Sequence, residues 1–183
     1  LETNIVGISF SWDKHTGYFI SFNHDEEKNT EFIELLKPFF ESNKIEKVGH
    51  NLKFDIKVLF KYGINVCAPI YDTMIAHYII NPDMRHNLDS LSESYLNYSP
   101  ISIEDLIGKR GKNQKNIRNI SIEEITRYSV EDPDLCLQLK EIFDKEIKTN
   151  NLNEIFSEIE LPLIEVLSFM EKEGIKIDKK YLK

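Results

Sequence analysis

Two carboxylates in this sequence stand beside residues that could help them bind a metal ion. The first, Asp55, ends the segment NLKFD at residues 51–55, one turn into a predicted helix that follows a short predicted strand. In α/β proteins, such a junction opens into the crevice where ligands usually bind. The alternative interpretation is that Asn51 caps the helix and that Asp55 only favours its positively charged end.

The second carboxylate is Asp132, which ends the segment YSVED at residues 128–132. On a helix, Tyr128 and Asp132 project from the same face because they are four residues apart. The carboxylate can bind a divalent cation, and the phenol can position a water molecule. Pro133 favours a functional interpretation, since a proline inside a helix costs about 3 kcal/mol and such local violations gather at functional sites. The alternative is a surface pair on an amphipathic helix.

A locally basic segment occupies residues 109–118, where five of ten residues are basic and none is acidic. The whole chain has a net charge of −8, whereas a protein that held nucleic acid by bulk charge would be basic. Any contact with nucleic acid is therefore expected to be local or assisted by metal ions. The segment is interpreted either as a contact for phosphate groups or as a solvated loop.

The hydrophobic pattern predicts the elements that must position these segments. Residues 4–12 and 18–22 alternate like the two strands of a hairpin, and residues 45–48 form a short strand. Because these strands need a shared sheet with helices on its faces, the fold class is α/β. Ser121 and Glu124 form a predicted capping box. The predicted helices span residues 29–42, 52–62, 72–81, 87–96, 122–149 and 152–173.

Length and composition indicate one globular domain with an appended element. The chain has 183 residues, of which 41% are hydrophobic. No apolar run approaches the roughly 20 residues that span a bilayer, and the N-terminus lacks a signal-peptide pattern. We therefore expect a cytoplasmic protein with no membrane partner. Cys67 and Cys136 are expected to be buried thiols, because they are far apart in sequence and a reducing compartment disfavours disulfides.

Taken in order, five segments resemble the proofreading 3′→5′ exonuclease domain of the bacterial DNA polymerase I family. They are NLKFD (51–55), YDTM (71–74), RHNLDSL (85–91), GKNQ (111–114) and YSVED (128–132). Residues 158–178 resemble the opening of the family's polymerase domain. The resemblance implies an exonuclease domain over residues 1–150, followed at 151–183 by a linker helix and the start of the polymerase domain. It also implies an RNase H-like (DnaQ-like) mixed sheet flanked by helices.

The resemblance implies roles for residues that match the family's motifs. Asp55, Tyr128 and Asp132 match catalytic residues, with both carboxylates as ligands of two Mg²⁺ or Mn²⁺ ions and the phenol orienting the attacking water. The partner is the 3′ end of single-stranded DNA. Residues expected to bind it, including the basic segment, are Asn51, Phe54, Arg85, Lys109, Arg110, Lys112 and Lys115. Two positions depart from the family: His50 replaces a glutamine, and Ile103 replaces an aromatic residue that packs against the terminal base.

The family's first acidic motif, an Asp-x-Glu pair, stands on a strand just before the hairpin, whereas this chain begins at Leu1 and Glu2 does not replace the pair. We therefore expect a fragment with the N-terminal strand missing, which binds Mg²⁺ poorly and associates through an exposed sheet edge. The expected function in the intact parent, where the polymerase domain is a partner, is proofreading by two-metal catalysis. The alternatives are a catalytically silent domain that supports the polymerase and an RNase D-like exonuclease that trims RNA.

Overall fold

The first element of the fold is an antiparallel hairpin of β1 (Gly7–Phe10) and β2 (Tyr18–Ser21). It confirms the hairpin predicted over residues 4–22. The backbone N–H of His15, at the hairpin tip, donates to Asp134 Oδ1 at 2.7 Å. This bond fastens the tip to the rest of the domain. The structure, a computed structural model, describes residues 5–22, 26–109, 111, 114–178 and 180–182.

A second, parallel pair of strands carries the candidate site. β3 (Lys47–Gly49) runs beside β4 (Ile70–Asp72), with Gly49 opposite Asp72. Among the described residues this pair is not hydrogen-bonded to the hairpin, so the prediction of one sheet shared by the hairpin and the third strand is wrong. The three residues of β4 are too few to show the alternation that predicts a strand. The α/β fold class is confirmed, with both antiparallel and parallel pairing.

The helices lie close to the predicted positions. α1 ends two residues after Pro38, as expected of a residue that cannot continue a helix. Gly63 and Gly174 follow α2 and α8 with positive φ angles of 75° and 72°, a backbone that glycine adopts without strain. No described helix is both long and apolar enough to cross a membrane. The elements are α1 (Glu26–Phe40), α2 (Leu52–Phe60), α3 (Thr73–Ile80), α4 (Leu88–Leu91), α5 (Ile103–Ile107), α6 (Ile122–Ser129), α7 (Glu131–Thr149) and α8 (Leu161–Glu173), with π-helical turns at Ser92–Leu96 and Ile155–Glu160 and a 3₁₀ turn at Ile117–Asn119.

The long helix predicted over residues 122–149 is two helices, α6 and α7, which meet at Val130. The N-cap half of the predicted capping box is confirmed, because Ser121 Oγ accepts a hydrogen bond from the Glu124 backbone N–H at 3.2 Å. The Glu124 carboxylate accepts from the Ser121 hydroxyl at 2.9 Å, whereas a full capping box has it accept from the Ser121 backbone N–H. Pro133 lies in the first turn of α7, where backbone N–H groups have no helical partner, so its missing N–H costs little. The inference that Pro133 interrupts a helix interior is therefore wrong.

The core is organised around α7. Its buried residues include Leu135, Leu139, Phe143 and Ile147, which recur at every fourth position. Leu139 and Phe143 are fully buried in a cluster that includes Tyr71 of β4, and burial of one such side chain contributes about 1.5–3 kcal/mol. α7 also packs against β3. Because the helix is held along its length, its first turn has a defined position beside the β3–β4 pair.

Candidate active site

A buried carboxylate, Asp72, joins the two helices that follow the parallel strands. Its Oδ1 accepts hydrogen bonds from the backbone N–H groups of Met74 at 2.9 Å and Ile75 at 3.3 Å, which caps α3. The same side chain accepts from the N–H groups of Leu52 at 2.7 Å and Asn51 at 3.2 Å, at the start of α2. A negative charge is favourable at a helix N-terminus. One side chain therefore fixes the starts of α2 and α3 relative to each other.

Asp72, and not the Asn51 side chain, accepts the backbone hydrogen bonds at the start of α2. Asn51 makes no side-chain capping bond to α2, so the interpretation of this residue as the helix cap is wrong. Its backbone is left-handed, with φ 60° and ψ 46°, a conformation that costs about 1–2 kcal/mol for most residues and that asparagine adopts more readily. Strained backbone of this kind is found most often at functional sites. The amide of Asn51 is thus available to a ligand.

Asp55 lies in the first turn of α2, next to the carboxylate of Asp72. Asp55 is exposed on one side, yet the surrounding protein removes enough hydration to raise its pKa to about 7. The next cause of the rise is the charge of Asp72, and Asp132 also contributes. Since Asp132 acts on Asp55 through charge repulsion, the two carboxylates lie within electrostatic range of each other.

Tyr128 and Asp132 stay together although they belong to different helices, α6 and α7. Burial raises the pKa of Asp132 to about 6, and the charges of Asp89 and Glu131 raise it further. Burial also raises the pKa of the Tyr128 phenol, with added contributions from Asp132, Asp89 and Glu131. The helix break at Val130 changes the geometry assumed from a spacing of four, but the phenol and the carboxylate remain electrostatic neighbours.

The carboxylates suit a divalent cation, because hard cations such as Mg²⁺ prefer oxygen ligands. Burial, and then neighbouring negative charges, raise the pKa values of both groups, and a bound cation would oppose this effect. Asp55 and Asp132 could each supply oxygen ligands to such an ion. Within the described ranges, no group of three or more His, Cys, Asp and Glu side chains is close enough to hold a metal ion. A divalent cation held here would therefore need oxygen ligands in addition to those of Asp55 and Asp132.

Sequence reasoning assigned no role to three acidic residues that shape this crevice. Asp72 and Asp89 belong to the segments YDTM and RHNLDSL, which match the family. The sequence does not show which groups these two carboxylates contact. Glu131 precedes Asp132 and accepts hydrogen bonds from Tyr98 Oη at 2.5 Å and from the Ile101 backbone N–H at 2.8 Å. Glu131 thereby ties the start of α7 to the segment that leads into α5.

The buried Thr73, which follows β4, contacts both the end of β3 and α7. Thr73 Oγ1 donates to the Gly49 carbonyl oxygen at 3.0 Å and lies 2.9 Å from His50 Nδ1. It also contacts Cys136 Sγ at 3.9 Å, and burial raises the pKa of this thiol, which therefore stays protonated. Both cysteines are free, as expected, although Cys67 is only partly buried.

The residues expected to bind DNA differ in how far their side chains are exposed to solvent. Phe54 precedes Asp55 on α2 and is 43% exposed, so its ring can stack on a base. Arg85 is exposed in the loop between α3 and α4, and Ile103 is the first residue of α5, 38% exposed. Lys109 and Lys115 are exposed. Arg110 and Lys112 lie outside the described residues.

Comparison with known proteins assigns the chain to a family. A model of the 3′-5′ exonuclease family matches residues 1–148. The chain belongs to this family. The DNA polymerase I of Borreliella burgdorferi is 40% identical over 98% of this chain and 20% of its own length. That of Chloroflexus aurantiacus is 35% identical over 100% of this chain and 20% of its own length. The chain spans about a fifth of the length of these curated relatives.

Solved structures share the fold of this exonuclease-family chain at low sequence identity. The POL domain of Pol1 from M. smegmatis, in complex with DNA primer-template and dNTP, has a TM-score of 0.66 and 19% identity, over 89% of this chain and 24% of that chain. Brucella melitensis NrnC bound to pGG has a TM-score of 0.66 and 20% identity, over 90% of this chain and 74% of that chain. The family resemblance and the RNase H-like fold expected from the sequence are therefore confirmed.

Proposed function

We propose that this chain is the 3′→5′ exonuclease domain of a DNA polymerase I and removes terminal nucleotides from single-stranded or mismatched 3′ ends. The observation that carries the proposal is that the charge of Asp132 acts on Asp55, and that the pKa values of Asp55 and Asp132 are raised to about 7 and about 6. The match of residues 1–148 to the 3′-5′ exonuclease family and the identity to DNA polymerase I relatives support the same function.

In this proposal, Asp55 and Asp132 hold Mg²⁺ or Mn²⁺, together with oxygen atoms from outside the described cluster. When bound, such cations supply the positive charge that stabilises the transferring phosphate and acidifies a water molecule. The two carboxyl groups bind the cations in their ionised form. Because repulsion and burial raise their pKa values, protons compete with the cations, and cation binding is expected to weaken as the pH falls below about 7.

Tyr128 orients the attacking water in the proposed mechanism and does not remove its proton. Its phenol pKa is raised by burial and by Asp132, so the hydroxyl stays protonated at neutral pH. A neutral phenol can donate one hydrogen bond and accept another, which holds a water molecule in a defined direction. Orientation of this kind contributes to catalysis by placing the nucleophile in line with the scissile bond.

Binding of the terminal nucleotides is assigned to Asn51, Phe54 and Arg85. The Asn51 amide is free to form hydrogen bonds, the exposed Phe54 ring can stack on a base, and the Arg85 guanidinium can contact a phosphate. Phe54 and Asp55 lie in the same first turn of α2, so in this proposal a base stacked on the Phe54 ring belongs to the nucleotide whose phosphate reaches the carboxylates. The basic segment, with Lys109 and Lys115 exposed, would extend the contact along the strand.

The polymerase domain of the same polypeptide is the proposed partner of the C-terminal segment, residues 151–183. α8 packs against α2, where Glu171 bonds to Lys53 at 2.6 Å and to Lys57. The opposite face exposes large apolar side chains, with Val166 51% and Met170 58% exposed. An exposed apolar patch marks an interaction site. Because the relatives are about five times as long as this chain, we assign this face to contact with the polymerase domain.

The decisive assay is release of terminal nucleotides from a 5′-labelled single strand by the full-length gene product in Mg²⁺. Asp55→Asn and Asp132→Asn should each abolish most of the release, while Asp13→Asn is the matched control, because this aspartate lies in the hairpin turn and its side chain makes no described hydrogen bond. Absence of release by the wild type would support the silent structural domain. Preferential trimming of an RNA strand would support the RNase D-like alternative, which the polymerase relatives make weaker.

A further inference from the structure

Two histidines outside the carboxylate cluster are joined directly. His77 lies on α3 and is fully buried, and its Nδ1 atom is 2.7 Å from Nδ1 of His86, in the loop of residues 81–87. Its ring packs against Tyr95 and Phe143, with ring centroids 5.5 Å away in both cases. The Nε2 atom of His77 is buried without a hydrogen-bond partner. A phenylalanine ring would avoid this unsatisfied atom. What a histidine supplies at this position, and an apolar ring does not, is the hydrogen bond of Nδ1.

The bond between the two rings requires one proton, which one Nδ1 donates and the other accepts. We assign the proton to His77 Nδ1, because the opposite tautomer would bury an unpaired N–H at Nε2. Burial, and then the neighbouring His86 and His50, lower the pKa of His77 to about 4. The remaining titratable neighbour is Tyr95, whose hydroxyl accepts a hydrogen bond from Asn81. His77 is therefore neutral at neutral pH, and the bond persists there.

This bond helps to fix the position of the loop. Residues 82–85 are exposed. The bond to His77 is the one hydrogen bond that the side chains of residues 82–87 make within the described part of the chain, and the His86 backbone is bonded to the His50 side chain. Arg85 precedes His86, and its guanidinium makes no ion pair with any described residue. The position of Arg85 is therefore set by the backbone of the loop, and the loop is held at His86.

The same loop borders the crevice. Burial lowers the pKa of His50, while the charge of Asp72 and a hydrogen bond to the His86 backbone oppose this effect. His50 thus touches the loop from the end of β3. Asp89, three residues beyond His86, raises the pKa of Asp132. The segment that His77 anchors therefore leads directly into a residue that acts electrostatically on Asp132.

We propose that His77 is a positioning residue for 3′-end binding, because its bond to His86 holds Arg85 at the edge of the crevice, where the guanidinium meets a phosphate of the single strand. This inference rests on the proposed function. Its ligand is the sugar-phosphate backbone of the strand rather than a base, so the contribution of His77 is independent of nucleotide sequence.

The test compares three variants of the full-length gene product. His77→Phe keeps an aromatic ring in the core and removes Nδ1, so Tm should be unchanged or higher while KM for single-stranded DNA rises about 3- to 10-fold with kcat nearly constant. His77→Asn offers an amide close to the Nδ1 position but leaves a cavity, so Tm should fall while KM is retained. His15→Asn is the control, a histidine in the hairpin turn with a left-handed backbone that asparagine tolerates.

A double-mutant cycle with Arg85→Ala identifies the route of the effect. If His77 acts through Arg85, His77→Phe adds little to the rise in KM that Arg85→Ala causes by itself. An unchanged KM in His77→Phe, or full additivity with Arg85→Ala, would overturn the inference while leaving the exonuclease function intact. Absence of both nucleotide release and oligonucleotide binding in the wild type would overturn the proposed function, and the inference with it.

Discussion

Replacement of Asp72 by asparagine separates the structural effect of this buried carboxylate from its electrostatic effect. In the wild type, Oδ1 accepts from the backbone N–H groups of Asn51, Met74 and Ile75, and Oδ2 accepts from Leu52 at 2.7 Å. An asparagine can present its carbonyl oxygen to one side only, so its NH₂ group faces donors on the other. Loss of a cap costs about 0.5–2 kcal/mol, and an unsatisfied buried donor costs about 1–3 kcal/mol.

We therefore expect Asp72→Asn to weaken the start of α2 or α3 by about 2–4 kcal/mol, which is roughly a 30- to 1000-fold change in the local opening equilibrium. Hydrogen–deuterium exchange of the amides of Leu52 and Met74 in the full-length gene product measures this opening directly. Exchange should accelerate at one of the two helix starts. Amides in the middle of α7 should keep their protection, because that helix is held by its own core contacts.

The same substitution should make Asp55 a stronger acid. The charge of Asp72 is the second largest cause of the raised pKa of Asp55, after burial. Its removal therefore shifts the pKa of Asp55 from about 7 towards the ordinary carboxylate range, and half-maximal Mg²⁺ binding moves to lower pH although the fold is weaker. Unaltered exchange at both helix starts, or an unmoved pH midpoint for Mg²⁺ binding, would refute the reasoning. Asp13→Asn is the control for a change of one charge.

Three further outcomes follow from the described geometry. Asp55 and Asp132 have folded-state pKa values of about 7 and about 6, above that of an unfolded aspartate, so without divalent cation the free energy of unfolding should decrease as the pH rises from about 4 to 7. Denaturation curves recorded with Mg²⁺ should show the opposite trend. A cation-free domain that is most stable at pH 8 would contradict this expectation. Tyr128→Phe should lower kcat roughly 10- to 100-fold with little change in KM, and an equal fall in nucleotide release at every pH from 6 to 9 would confirm an orienting phenol. Replacing Lys109 and Lys115 with glutamine should weaken binding of single-stranded DNA. The slope of the logarithm of the association constant against the logarithm of the salt concentration should fall by about 0.7 per lost phosphate contact. An unaltered slope would indicate a solvated loop.

The sequence by itself determined the family and the positions of most elements. The ordered segments NLKFD, YDTM, RHNLDSL and YSVED identified the exonuclease family that the comparisons confirm. The hairpin, the N-cap at Ser121 and the glycines that follow α2 and α8 were predicted from local chemistry. These features are readable because periodicity, caps and positive φ angles depend on residues only a few positions apart.

Only the tertiary structure decided which distant groups meet. Asp72 caps a helix that begins twenty residues earlier in the chain, and this contact overturned the interpretation of Asn51 as a cap. The partner of β3 was hidden because β4 is three residues long, and the bond between His77 and His86 joins two elements across the core. A hydrophobic pattern states which side of an element is buried. It does not state which backbone donor or ring nitrogen will lie opposite, because that depends on how separate elements pack against one another.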